Sequence, residues 1–342
     1  MKILVTGGCG FVGSNIAIYL KKNLKKIQVC SLDNLSRNGS SLNKKRLEEL
    51  NIKNFNINIE NLKKIKLLPK FNLIIDCCAE PAIEASKYDT DRVFNTNLLG
   101  TFNILKKCLK DKSNIIFLSS SRVYSIQKLR DLIKKTNIIK PIKIKYEIDE
   151  NFKTSSASSL YGFTKLASEK LIKEMFYKTN LKFIINRFGV IAGPWQFGKQ
   201  DQGFVPLWVA KHLLKKKLSY IGFGGKGHQV RDILHIKDAC EIILIQIKKI
   251  KKINNKTFNI GGGINNSISL KDLTIKCEKL TKHRIKFKSV SKTSIFDIPY
   301  YVSDNTKLKR FYKWKPSKNI DKIIEDIYHW LSKNEFIRNY FL

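Results

Sequence analysis

Short apolar runs punctuate the first half of the chain. Leu4-Val5 leads into Thr6-Gly7-Gly8-Cys9-Gly10-Phe11-Val12-Gly13, and further runs follow at 27–32, 73–75, 115–118 and 182–186. Between them lie stretches with helical spacing of apolar positions, including Asn97 to Leu105 and a segment starting near Tyr161. In that segment Ala167, Leu171 and Met175 fall on one row and Ile172 and Phe176 on the next, as an amphipathic helix requires. Strand and helix in alternation predict βαβ units, hence a parallel sheet covered by helices on both faces. From Gly189 the pattern loosens into Gly, Pro and aromatic residues, which suits a second lobe, and Thr257 to Ile260 before three glycines reads as a strand returning to the first. The expected fold is α/β: a doubly wound parallel sheet of Rossmann type over 1–188 with a return segment at 232–262, interleaved with a smaller C-terminal substrate lobe from 189–231 and 263–342. Lysine-rich Ile126 to Ile148 reads as a surface excursion, open between a lid, a dimer contact and an insertion.

The first strand runs straight into Gly7, Gly10 and Gly13. In a phosphate-binding turn the first such glycine lets the chain turn, the second lets backbone N–H groups approach a pyrophosphate, and the third lets the following helix pack close to the strand. A tight turn before a helix cap gives the same spacing, but here a second strand follows and ends in Asp33, twenty residues after Gly13. A carboxylate there accepts from an adenosine ribose and favours NAD. Arg37, just beyond Asn34, is suited to a 2′-phosphate and keeps NADP open.

Tyr161 and Lys165 stand four apart, on one face of the helix that starts there. In a chain this rich in lysine such a pair arises by chance, and Tyr124 with Lys128 is a second one. Setting separates them, because Tyr161 opens an amphipathic helix. Ser119, Ser120 and Ser121 end a strand whose carboxyl end should open onto the ligand crevice, although serines there also serve as turn residues.

With 342 residues and 43% hydrophobic content, the chain has material for one large α/β domain and a smaller companion. Its start in a strand after Met1-Lys2 and its lack of a long apolar stretch lead us to expect a cytoplasmic protein without a membrane span. Seven cysteines with no CxxC spacing give neither a disulfide framework nor a zinc or other metal site, and read as small buried apolar residues. A net charge of +37 raises nucleic acid as a partner. The excess is lysine spread over helix faces, and arginine is scarce, so no specific nucleic-acid site is expected.

Taken together, Thr6 to Gly13, Asp33-Asn34-Leu35-Ser36-Arg37, Asn97 with Gly100-Thr101, Ser119 to Tyr124, Tyr161 to Lys165, and Gln229-Val230-Arg231-Asp232 with His235 follow a known order. The chain resembles the extended short-chain dehydrogenase/reductases, in particular their NAD-dependent sugar-nucleotide epimerase/dehydratase branch. Gly193 to Gly198 with Asp201-Gln202-Gly203, and Gly225 to His235, are most similar to the CDP-paratose 2-epimerase group within it.

The resemblance implies that Ser120, with Ser121 as its stand-in, Tyr161 and Lys165 are catalytic. Tyr161 would be general base and later acid, while Lys165 would hold the nicotinamide ribose and favour the phenolate. It further places Gly7, Gly10, Phe11, Val12, Gly13, Asp33, Asn34, Ser36, Arg37, Asn58, Ile59, Ala79 and Asn97, with Tyr161 and Lys165, around NAD. Ser121, Gln196, Gln202 and Arg231 would meet a nucleotide-sugar substrate, with Arg231 on its diphosphate or else in an ion pair beside Asp232. His235 and Asp238 read as braces, Trp195, Phe197 and Trp208 as core, and a homodimer or larger homo-oligomer is expected. The chain departs from the family at Val190, Asn58 and Ser125, where relatives commonly carry Asn, Asp and Gly. A dehydratase needs an acid just after the catalytic Ser, where Ser121 and Arg122 stand here. Epimerisation is therefore expected, with 4-epimerisation and ketone reduction as alternatives. A non-catalytic binding module with nucleic-acid affinity is opposed by the intact Ser120, Tyr161 and Lys165.

Overall fold

The computed structural model describes residues 1–81, 88–134, 146–155, 159–199 and 202–342. Seven strands form the large sheet: β1 (Lys2–Thr6), β2 (Gln28–Leu32), β3 (Lys53–Phe55), β4 (Leu73–Asp76), β5 (Asn114–Ser120), β6 (Phe183–Phe188) and, beginning 68 positions after the end of β6, a return strand at Lys256–Ile260. Between those two lie β7 (Val190–Ala192), β8 (Leu218–Ile221) and β9 (Val230–His235), which makes the return strand β10; β11 (Ser267–Ser269), β12 (Phe287–Val290) and β13 (Tyr300–Tyr301) complete the set. The large sheet has the order β10-β6-β5-β4-β1-β2-β3 and is parallel throughout.

Alternate residues of each central strand feed separate cores. Ile3 and Val5 face one, with Ile16 and Leu20 of helix Phe11–Asn23 and Ile243 of helix Ile236–Lys249. Leu4 and Ile74 face the other, with Ile104 of helix Gly100–Asp111 and Ile172 of helix Leu160–Phe176. Burial on both faces is why these strands are near-continuous apolar runs. The strand order reverses between β1 and β4, and ligands of such sheets bind in the crevice at the strand ends there.

In the smaller lobe, β9 pairs with β7 and β13 in parallel and β11 antiparallel, while β8 pairs with β12. Its core gathers Trp208 of helix Phe204–Leu213 and Ile323, Ile327 and Leu331 of helix Ile320–Lys333. The lobes interleave with boundaries other than those expected. Residues 232–235 of the expected return segment belong to β9 in the small sheet, so the return proper is helix Ile236–Lys249 and β10. Helix Thr306–Tyr312, expected in the substrate lobe, joins the first core because Phe258 of β10 meets the rings of Phe311 and Tyr312 at 5.7 and 5.3 Å.

The lysine-rich excursion begins as a packed element. Helix Ile126–Lys134 buries Ile126 and Leu129 against Ile298 and Tyr301, and Arg130 donates to the carbonyls of Ser294 and Asp297. Exposed Gln127 and Lys128 interrupt this apolar stripe in the sequence. Residues 135–145 lie outside the described residues. All seven cysteines are free thiols and five are buried. Among the described residues no helix is long and apolar enough to cross a membrane, and no group of side chains could hold a metal ion.

Candidate active site

The turn after β1 is shaped for an anion. Gly7 sits at φ +59°, and its carbonyl accepts from the N–H of Gly10 at 3.0 Å. Gly10 caps helix Phe11–Asn23 with no side chain on the first-turn N–H groups, so those donors of Phe11, Val12 and Gly13 have no side-chain cap to satisfy them. A Cβ on Gly13 would stand 2.2 Å from the Gly7 carbonyl oxygen. Gly13→Ala is therefore expected to force helix and strand apart at a cost of about 1–3 kcal/mol. A lower urea midpoint at unchanged slope checks this, and an unshifted midpoint refutes it.

Asp33 follows β2. Its carboxylate accepts the N–H of Cys9 at 3.0 Å and of Leu35 at 2.8 Å, and burial holds its pKa above the ordinary range. An ionised carboxylate offers about four acceptor positions, which leaves capacity for a ribose hydroxyl. Arg37 is committed elsewhere: Nη1 pairs with Glu80 at 2.8 Å and Nη2 donates to Gln202 at 2.5 Å. Glu80 also pairs with Arg92 at 2.6 Å. The guanidinium that kept NADP open, and the amide expected on substrate, thus hold the two lobes to each other. Asp201 of the same motif lies outside the described residues. Asn34 and Asn58 are exposed and accept from the N–H groups of Ser36 and Glu60, Ser36 is exposed, and Ile59 is buried beneath Gly100.

At the end of β4, Asp76 takes hydrogen bonds from Thr6 and Thr101 at 2.5 and 3.1 Å, and half-buried Ala79 follows. Asn97 is fully buried. Its amide accepts from the Glu80 N–H and donates to the Glu80 carbonyl and to Thr164, so it fixes the loop after β4 to the helix that carries Tyr161.

Ser159 caps helix Leu160–Phe176 through the N–H of Gly162, which leaves half-buried Tyr161 in the first turn. Lys165, 2% exposed, donates to the Leu118 carbonyl at 3.0 Å and lies 4.7 Å over the Phe117 ring, pinning the helix to the end of β5. There the half-buried Ser120 accepts the Arg122 N–H at 3.2 Å, so its own hydroxyl proton is free to be donated. Ser121 begins a single 3₁₀ turn ending at Val123. The rival tyrosine is buried: Tyr124 donates to Asn259 at 2.6 Å, burial pushes its pKa up to about 12, and Lys128 is exposed.

In the second lobe, Arg231 donates to the carbonyls of Val230 and Ile298 and stands 3.4 Å from Asp297, not Asp232. Strand alternation puts Asp232 on the opposite face, where it accepts the N–H groups of Gly263 and Ser303 and burial lifts its pKa to about 6. Burial lowers the pKa of Arg231 to about 10 and also lowers that of Arg122, which donates to the Phe296 carbonyl. Gln196 donates to the Ile191 carbonyl, Trp195 stacks on Arg46 at 4.1 Å, and Trp208 is buried. His235 caps helix Ile236–Lys249, and Asp238 takes the backbone of Ser317 and Lys318.

Sequence reasoning passed over the layer beneath the site. Buried Glu169 takes Ser119 Oγ at 2.6 Å and Arg187 Nη2 at 2.7 Å, and Glu80 anchors two arginines. Arg187, inside a β6 whose six residues are all buried, is the signal for a buried acid.

Comparison with known proteins gives the family. The chain is 28% identical over 342 residues to the CDP-paratose 2-epimerase of Salmonella typhi, covering 97% of this chain and 99% of that protein. It is 30% identical over 266 residues to the dTDP-D-glucose 4,6-dehydratase of Dictyostelium discoideum, covering 76% and 58%. The solved UDP-glucuronic acid 4-epimerase from Bacillus cereus, in complex with UDP-glucuronic acid and NAD, shares the fold with a TM-score of 0.81 at 23% identity, over 97% of this chain and 99% of that one. The model of the NAD dependent epimerase/dehydratase family matches residues 3–261, from β1 through the return strand β10. With the glycine turn, Asp33 and the Tyr161–Lys165 pair all inside that span, the chain belongs to this family and is an enzyme whose cofactor is NAD.

Proposed function

We propose that the enzyme inverts a secondary alcohol centre of a nucleotide-activated sugar, by oxidation to a ketone and reduction from the opposite face, with C2 of a CDP-activated sugar as the first case. The observation that carries this reading is Lys165, buried against the end of β5 with Tyr161 one turn before it and Ser120 at the strand's tip. Tyr161 takes the proton of the sugar hydroxyl while Ser120 donates a hydrogen bond to the same oxygen. Bound NAD supplies the acceptor, and later the donor, of the hydride. When the sugar presents its other face, Tyr161 gives the proton back and the carbon emerges inverted. Arg231 has donors left for a diphosphate. General acid–base transfer of this kind contributes about 10²–10⁴-fold to rate.

Ser121 and Arg122, where elimination of water would need an acid, favour epimerisation over dehydration. The full-length similarity to the Salmonella typhi enzyme supports CDP and C2. Action in the cytoplasm as a homodimer or larger homo-oligomer is part of the same proposal and rests on the family resemblance. Incubation with CDP-, UDP- and GDP-sugars, followed by NMR of the products, is expected to give a mixture of two epimers of one sugar without net reduction of NAD. A 4,6-dehydrated product, or stoichiometric consumption of reduced cofactor, would overturn the proposal.

A further inference from the structure

We propose that a second anion site, suited to a phosphate or diphosphate group, lies at the β10 edge of the large sheet. An open groove of about 350 Å³ there is lined by Lys173, Arg187, Lys256 and Lys307, with Glu150 and Asn151. It is separate from the catalytic crevice. Lys173 follows Tyr161 by twelve residues on one helix, about 18 Å along its axis at 1.5 Å per residue. Lys256 opens β10, whose other edge has no strand beside it in the sheet order.

The charges in this groove are unbalanced. Arg187 spends its guanidinium on Glu169, and Glu150 gives its carboxylate to the N–H of Asn259 at 2.8 Å. Among the described residues no carboxylate stands within ion-pair distance of Lys173, Lys256 or Lys307. Aromatic faces hold two of the ammonium groups instead, with Lys256 4.9 Å over Phe311 and Lys307 5.6 Å over Phe258. Burial lowers the pKa of Lys307, and Lys256, Arg187 and Arg310 lower it further against the pull of Glu150. Ammonium groups converging on one groove match the several oxygens and multiple charge of a phosphate better than a single carboxylate.

Calorimetric titration of the NAD-loaded full chain with phosphate and with pyrophosphate, at constant ionic strength, tests this. The expected result is saturable binding of one anion per chain, weakened at least tenfold in the Lys256→Gln/Lys307→Gln variant. It should be unchanged in a control with the exposed pair Lys251→Gln/Lys252→Gln, and the tighter of the two anions tells a single phosphate site from a diphosphate site. Binding that survives the groove substitutions, falls equally in both variants, or never saturates would assign the anion to the catalytic crevice or to net charge, and the proposal would fall.

Discussion

Tyr161→Phe is expected to cut turnover of the epimerised sugar by about 10²–10⁴-fold while leaving fold and bound NAD in place. The ring and its packing are kept and only the Oη atom is lost. Lys165 does not depend on that atom for its position, since its ammonium is anchored on the Leu118 carbonyl and the Phe117 ring. Nor does the second tyrosine with a lysine four residues on stand ready. Tyr124 is 1% exposed and tied to Asn259 and Arg187, so no substrate hydroxyl reaches it. Single-turnover assays of both proteins, with the cofactor content of each read from its absorbance after denaturation, separate loss of chemistry from loss of NAD. Turnover retained within a fewfold would mean that another group takes the proton, and the mechanism would have to be abandoned.

The large sheet is legible in the sequence because its strands are buried on two faces and open on apolar runs, as in Leu73-Ile74-Ile75 of Leu73–Asp76 and Phe183-Ile184-Ile185 of Phe183–Phe188. The small sheet is not. Its strands are as short as Tyr300–Tyr301, and β9 finds its partners at 190–192, 267–269 and 300–301, pairings that leave no period to follow. Position 232 therefore reads as the start of a return to the first lobe when it still lies within the second. The site divides along the same line. Tyr161 and Lys165 stand out because one helix carries both, and Asp33 because the strand before it fixes its place. Arg37, Glu80 and Gln202 meet only through the tertiary fold, from positions as much as 165 residues apart, so spacing alone does not reveal the bonds that tie Arg37 to Glu80 and Gln202.

Glu169→Ala is expected to destabilise the protein by about 3–5 kcal/mol, the largest single-site loss of stability considered for this chain. Arg187 and Glu169 have side chains only 8% and 1% exposed, and Glu169 meets Nε at 2.9 Å and Nη2 at 2.7 Å in a two-pronged pair. Burial alone would lower the pKa of Arg187, but the bonds to Glu169 and the Tyr124 hydroxyl more than reverse this and hold it above the ordinary value. Removing the acid strands a cation in a nearly dry interior, and most of the loss is that penalty, not the worth of the pair. Replacing both partners by apolar residues, Glu169→Leu with Arg187→Met, should consequently cost far less than Glu169→Ala alone. Urea unfolding of the single and double variants at unchanged slope makes the comparison. A loss below about 1 kcal/mol for Glu169→Ala would put the pair in the class of solvated surface bridges. The same acid takes the hydroxyl of Ser119, next to Ser120 on β5, so the variant should also turn over more slowly at temperatures where it is still folded. That slowing is expected to persist in the stable double variant, because restoring stability does not restore the acceptor for Ser119.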